Sequence, residues 1–226
     1  MLSDFLNLFY PSLCKACGNP LLKNEEVICT YCLYHLPYTG YHTSEHNPVF
    51  KLFWGRSQLE FASAFLHFRK GGRVQQLLHQ LKYNNCPEIG HHLGLLYSYQ
   101  LEKESCFSEI DVIIPVPLHK SKQKLRGYNQ SELFAKGLGV GLGKQVNTVS
   151  LLRETATETQ TKKSRFARYL NTKEVFSLYK AEEVQGKHIL LVDDVVTTGS
   201  TLEACINILN QNGMCKVSVA TIAAAL

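Results

Sequence analysis

Ile189-Leu190-Leu191-Val192-Asp193-Asp194-Val195-Val196-Thr197-Thr198-Gly199-Ser200-Thr201 is the stretch that decides how this chain folds. Its first four residues form a continuous apolar block, the pattern of a parallel strand covered by helices on both faces. Two carboxylates follow, then a short turn of Thr, Gly and Ser. Beyond it Leu202, Cys205, Ile206 and Leu209 recur at three- and four-residue spacing, so the turn opens into a helix with one buried face. Strand, turn and helix together are a unit of an open α/β sheet, where ligands bind beyond the carboxyl ends of the strands.

The residue types in that turn suit a sugar phosphate. Backbone N–H groups at the turn and the helix N-terminus attract a phosphate, and the hydroxyls of Thr197, Thr198, Ser200 and Thr201 add donors. Asp193 and Asp194 repel phosphate but accept hydrogen bonds from a neutral diol, such as the two hydroxyls of a ribose. Donors on one side and acceptors on the other describe a ribose 5-phosphate. A Walker loop is excluded, because no Gly-Lys-Ser/Thr is present. Helix capping alone accounts for the Thr and Ser. It leaves the paired acids unexplained.

This run resembles the phosphoribosyl pyrophosphate (PRPP) loop of type I phosphoribosyltransferases. The resemblance implies that Asp193 and Asp194 hold the ribose hydroxyls. It also implies that Thr197, Thr198, Gly199, Ser200 and Thr201 seat the 5-phosphate, with Val195 and Val196 completing the loop.

A second loop is needed for the other end of such a ligand. After the apolar block 111–114 the chain reads Pro115-Val116-Pro117-Leu118-His119-Lys120-Ser121-Lys122-Gln123-Lys124-Leu125-Arg126-Gly127-Tyr128-Asn129-Gln130. Two prolines stiffen this loop, and one X–Pro bond has the cis form within reach. Stiffness matters because fixed donors stabilise developing charge without reorganising. Lys120 and Arg126 supply cations, and a helix capped by Asn129 offers another N-terminus to an anion. Read without that context, the run is a basic surface loop.

Pro115-Val116-Pro117-Leu118-His119 and Arg126-Gly127-Tyr128-Asn129-Gln130 are similar to the signature of the ComF family. So are Leu81-Lys82-Tyr83 and the run Thr159-Gln160 with Arg165, Arg168 and Asn171. The family is tied to DNA uptake in naturally competent bacteria, beside a helicase-like ATPase acting on incoming single strands. The resemblance implies a pyrophosphate loop of Pro115, Val116, Pro117, Leu118, Lys120, Arg126 and Gly127. It implies PRPP with Mg²⁺ as ligand, and Asp193, Asp194 and Arg126 as the residues of the reaction. One departure is visible: Lys120 and Lys122 stand where many members carry Arg, and Lys grips phosphate as a point charge. The polar, basic stretch 153–177 corresponds to a mobile lid in phosphoribosyltransferases, which shields the reacting centre from water. Its Thr161, Lys162, Lys163, Arg165 and Arg168 suit a nucleic-acid backbone equally well.

Eight cysteines fall into two sets. Cys86, Cys106, Cys205 and Cys215 are scattered. Cys14-x-x-Cys17 and Cys29-x-x-Cys32 are paired across eleven residues, which suits a tetrahedral four-thiolate Zn²⁺ site of structural type. Two disulfides or an iron–sulfur cluster are the alternatives. Residues 1–48 are expected to form this zinc module with a small core of its own, closing in a turn-rich linker at 39–48. Residues 49–226 are expected to form a mostly parallel three-layer α/β domain. Its strands are expected at 59–68, 111–116, 146–152, 189–192 and 217–222, and helices at 74–82, 88–101 and 129–138. The last of these is expected to end at the Gly139/Gly141/Gly143 cluster.

With 226 residues, 45% of them apolar, the chain can bury one substantial core and a small appendage. The net charge of +5 is concentrated in the basic runs 120–126 and 162–168. No stretch approaches the ~20 apolar residues of a membrane span. The apolar N-terminus lacks the basic start and cleavage site of a signal peptide, and a cytoplasmic location is expected. Two functions remain open: a phosphoribosyltransferase with an unread acceptor, or a single-stranded-DNA-binding adaptor for a helicase-like ATPase.

Overall fold

A computed structural model describes residues 10–154 and 175–226. Seven strands are assigned: β1 (Phe61–His67), β2 (Val112–Pro115), β3 (Gln145–Val146), β4 (Leu151–Glu154), β5 (Val175–Leu178), β6 (His188–Val196) and β7 (Lys216–Ala224). Five of them form one sheet in the order β1-β7-β6-β2-β3, with every pairing parallel. β4 and β5 pair antiparallel in a separate ribbon. Among the described residues the α-helices are α1 (Thr30–Tyr34), α2 (Pro48–Lys51), α3 (Arg73–Tyr83), α4 (Glu88–Leu101), α5 (Ser105–Ser108), α6 (Lys120–Arg126), α7 (Gln130–Leu142) and α8 (Ser200–Gly213).

The central strands read as apolar blocks because both of their faces are covered. In β6 Leu190 and Val192 join a buried cluster with Leu77, Leu81, Leu93, Tyr97 and Phe134 of α3, α4 and α7. Ile189 and Leu191 point the other way, into a cluster with Leu202, Cys205, Ile206 and Leu209 of α8. Alternate residues of one strand thus feed two cores, and the three-layer α/β class expected from the sequence is the one observed.

α4 and α7 approach at backbone distance. A Cβ placed on Gly137 would lie 2.0 Å from the His91 carbonyl oxygen, and one on Gly94 would lie 2.3 Å from that of Phe134. The contact continues past the expected stop at the glycine cluster, where a Cβ on Gly141 would lie 1.7 Å from Ser98 Oγ, and α7 runs on through Gly139 and Gly141 to Leu142. Packing outweighs weak helix propensity, and Gly143, at φ 64°, takes the C-cap.

Two further expectations change. Residues 146–152 form no single strand: Asn147 Oδ1 accepts from Val149 N and Ser150 N at 3.0 and 2.9 Å, a turn that separates β3 from β4. The described residues of the four-cysteine segment share a core with the sheet. Cys14, Ala16, Val27, Ile28, Cys29, Cys32 and Leu36 belong to the cluster that holds Phe65, Leu77 and Tyr97. The segment 39–48 lies along β1, with Asn47 buried and its Nδ2 donating to Ala62 O at 2.7 Å.

Candidate functional site

The acid pair sits inside β6 at its carboxyl end, Asp193 opposite Thr221 of β7. β2 ends beside it, with Pro115 opposite Val192, so the two loops named from the sequence leave neighbouring strands at one edge. Gly199, at φ 76°, makes the left-handed turn into α8. A small pocket runs from Asp193 along Thr197, Thr198, Gly199, Ser200 and Thr201. Thr197, Thr198 and Ser200 are exposed there, and the Thr198 and Ser200 hydroxyls lie 3.0 Å apart. Arg56 braces the turn from behind, donating to Thr198 O at 3.2 Å and ion-pairing with Glu203.

Asp193 is half-buried. Its Oδ1 accepts from Ser131 Oγ and from the Asp194 backbone N–H, both at 2.8 Å. Burial and the adjoining Asp194 carboxylate push its carboxyl up to about 7. Between the ordinary carboxylate range and that value the native state binds the extra proton. Stability therefore falls as pH rises through this window. Asp193→Asn removes the penalty, so the variant is expected to be more stable than the parent at pH 8 by roughly 1–2 kcal/mol. The gap should close below pH 4. Thermal melts across pH check it, and a variant whose advantage at pH 8 is no larger than at pH 4 contradicts the origin given for the shift.

Asp194 Oδ2 pairs with Lys82 Nζ at 2.6 Å. Lys82 and Ser131 thus reach the acid pair from α3 and from the first turn of α7. Sequence reading gives a site role to neither, although Lys82 lies within the Leu81-Lys82-Tyr83 motif. That motif is tied to the second loop: Tyr128 Oη donates to Leu81 O at 2.7 Å, and the Arg126 guanidinium lies 5.4 Å from the Tyr83 ring centre.

The basic run 120–126, expected as loop, is the helix α6. His119 Nδ1 caps its start by accepting from Ser121 N, and Gly127, at φ 81°, closes its end. Lys120, Lys122 and Lys124 are exposed on it. Arg126 is half-buried and donates to Gln130 Oε1 at 2.9 Å. Asn129 caps α7 as expected, and its Nδ2 donates to Val116 O at 3.0 Å, fixing the loop on β2. Among the described residues there is no cis peptide. Gln130 is buried, and its Nε2 has no acceptor among the described residues. Thr161, Lys162, Lys163, Arg165 and Arg168 lie outside the described residues.

At the other end of the chain the Sγ atoms of Cys14, Cys17, Cys29 and Cys32 all lie within 4.8 Å of one another. Cys17 Sγ and Cys29 Sγ are 3.9 Å apart. Four sulfurs about 2.3 Å from one tetrahedral Zn²⁺ stand roughly 3.8 Å from each other. Backbone N–H groups of Cys29 and Cys32 point at Cys14 Sγ and Cys29 Sγ, at 3.3 and 3.4 Å. The cluster fits a zinc module.

The phosphoribosyl transferase domain family matches residues 139–226, which hold β6, the acid pair and the turn into α8. This part of the chain is therefore similar to phosphoribosyl transferase domains, and its parallel sheet is of the expected class. The chain's relatives include the DNA utilization protein YhgH of Shigella flexneri, 37% identical over 149 residues. That alignment covers 65% of each chain, just under two thirds of the relative's own length. Competence protein F of Haemophilus influenzae is 38% identical over 111 residues, 48% of each chain. Competence protein ComFC of Bacillus subtilis is 28% identical over 145 residues, 62% of this chain and 55% of that one. The chain is a homologue of these competence and DNA-utilization proteins, as its motifs implied. Among solved structures, the glutamine PRPP amidotransferase from B. subtilis complexed with ADP and GMP aligns over 64% of this chain and 30% of that one. Its identity is 19% and its TM-score 0.44.

Proposed function

We propose that this protein binds PRPP with Mg²⁺ at the end of β6 and serves DNA uptake in the cytoplasm as a phosphoribosyltransferase-like protein. The observation that carries the reading is Asp193. Its carboxyl is half-buried beside a second acid and directly precedes a turn of exposed hydroxyls. Two acids at a strand end serve no core. They serve a ligand that is neutral where it meets them and anionic a few ångströms along, which is the shape of a ribose 5-phosphate.

In this reading Asp193 and Asp194 accept from the ribose hydroxyls, while the turn 197–201 and the N-terminus of α8 hold the 5-phosphate. The loop 115–127 and Arg126 face the pyrophosphate that Mg²⁺ accompanies. The buried Gln130 Nε2 supplies a donor in want of an acceptor. Loss of pyrophosphate from C1 would leave a cationic sugar centre, which a cover excluding water protects from hydrolysis. The acceptor nucleophile is left open. Calorimetric titration of PRPP with Mg²⁺ into the protein tests the reading. Saturable one-to-one binding is expected, and an absence of heat and of any thermal shift would overturn it.

A second reading is favoured by the surface aromatics. Tyr83 and Tyr31 are 63% and 60% exposed, with the guanidiniums of Arg126 and Arg73 over their rings at 5.4 Å in each case. Exposed rings beside cations can stack on the bases of single-stranded DNA, in keeping with an adaptor role beside a helicase-like ATPase. If so, affinity for a single strand falls steeply with salt. Replacing Lys162, Lys163, Arg165 and Arg168 by Ala should flatten that slope by roughly 0.7 for each phosphate no longer neutralised. A salt-independent interaction would leave only the first reading.

A further inference from the structure

We infer that Lys82 is the cation that receives the pyrophosphate group of the ligand, working from the Asp194 carboxylate on which it rests. The inference rests on the PRPP reading above and deepens it.

Of the basic residues expected in this role, none is ion-paired with Asp193 or Asp194 among the described residues. Arg126 donates to Gln130 and stacks on Tyr83. Lys120, Lys122 and Lys124 are exposed on α6. Lys82 is different: its Nζ stands 2.6 Å from Asp194 Oδ2, and its side chain is only 23% exposed. Among the described residues it is the ammonium paired with the acid pair. Its position is fixed from behind, since Tyr128 ties Leu81 O to the second loop and Leu81 is buried in the core.

Stereochemistry places it. With the 5-phosphate on the turn 197–201 and the ribose diol on the acid pair, the anomeric carbon and its pyrophosphate lie next to the diol, away from α8. A cation on Asp194 is therefore about one sugar substituent from the leaving group. The two roles are compatible. A carboxylate has about four acceptor sites and an ammonium three donors, so Asp194 can take a ribose hydroxyl while Lys82 keeps one bond to it and turns two toward phosphate oxygens. Lys82 also offsets the repulsion that two bare carboxylates would exert on a polyanion. Lys acts here as a point charge, so no bidentate geometry is required.

The test compares two ligands that differ only at C1. PRPP with Mg²⁺ and ribose 5-phosphate are titrated into the parent protein, Lys82→Gln and Lys82→Arg, with a thermal melt of each to show that it folds. The expected result is that Lys82→Gln loses at least tenfold in PRPP affinity and less than about threefold for ribose 5-phosphate. Lys82→Arg should retain part of the preference. Parallel losses for both ligands would make Lys82 a holder of Asp194 and overturn the assignment. So would unchanged PRPP affinity. A parent protein that binds neither ligand would overturn the PRPP reading itself and this assignment with it, a result distinguishable from the first two.

Discussion

Gly137→Ala is expected to cost the protein at least about 3 kcal/mol, enough to leave much of it unfolded at 37 °C. The added methyl would lie 2.0 Å from the His91 carbonyl oxygen and 2.8 Å from Leu95 N. Both are backbone atoms of α4, so no side-chain rotation relieves the clash. Only a separation of α4 from α7 does, and that opens the cluster around Leu93, Tyr97 and Phe134. In an exposed helix the same change would be mildly stabilising, since Ala is the better helix former. The sign of the effect therefore reports the packing. Lys136→Ala, one residue away and exposed, is the control. Urea unfolding gives both values, and a Gly137→Ala midpoint near the parent's would show that the two helices do not touch as described.

Removing metal from the cysteine cluster is expected to have the other large effect. Purified protein should contain about one Zn per chain, and chelation or Cys17→Ser should lower the unfolding midpoint of the whole chain. The reason is the shared core. Cys14, Cys29 and Cys32 are buried among residues that also pack on Phe65 and Leu77. Four thiols at such spacing lose the ion that compensates their charge when the metal leaves. Structural Zn²⁺ contributes about 10–16 kcal/mol of apparent binding free energy in zinc-finger peptides, where binding and folding are one event. A single lowered transition is expected rather than an early melt of residues 10–48 alone. Protein that binds no metal and melts unchanged after chelation would contradict this.

What the sequence makes legible is local. The apolar block at 189–192, the acids after it and the spaced apolar residues of α8 are neighbours along the chain, and their period reports burial directly. The cysteine spacing works the same way: two short turns and an interval are all that a four-ligand site needs. What stays hidden depends on partners far away in sequence. Lys82 and Ser131 meet the acid pair across 112 and 62 residues of chain, and no periodicity marks such a meeting. Gly141 of α7 looks like a helix stop because its packing partner, Ser98 of α4, lies more than forty residues earlier. α6 escapes sequence reading for a different cause. A run of Lys and Arg resembles a solvated loop, but these residues are good helix formers once His119 and Gly127 close the ends. The core shared by the cysteine segment and the sheet is likewise a tertiary fact.

The family match covers residues 139–226, so the second loop and Lys82 lie ahead of it. The most direct test of the central claim is accordingly placed on the acid pair. PRPP with Mg²⁺ should be titrated side by side into the parent protein and the Asp193→Asn, Asp194→Asn double variant, with thermal melts run in parallel. The account predicts saturable binding by the parent, at least a hundredfold weaker binding by the double variant, and a variant that melts no lower than the parent above pH 7. Equal PRPP affinity in the two proteins would contradict it.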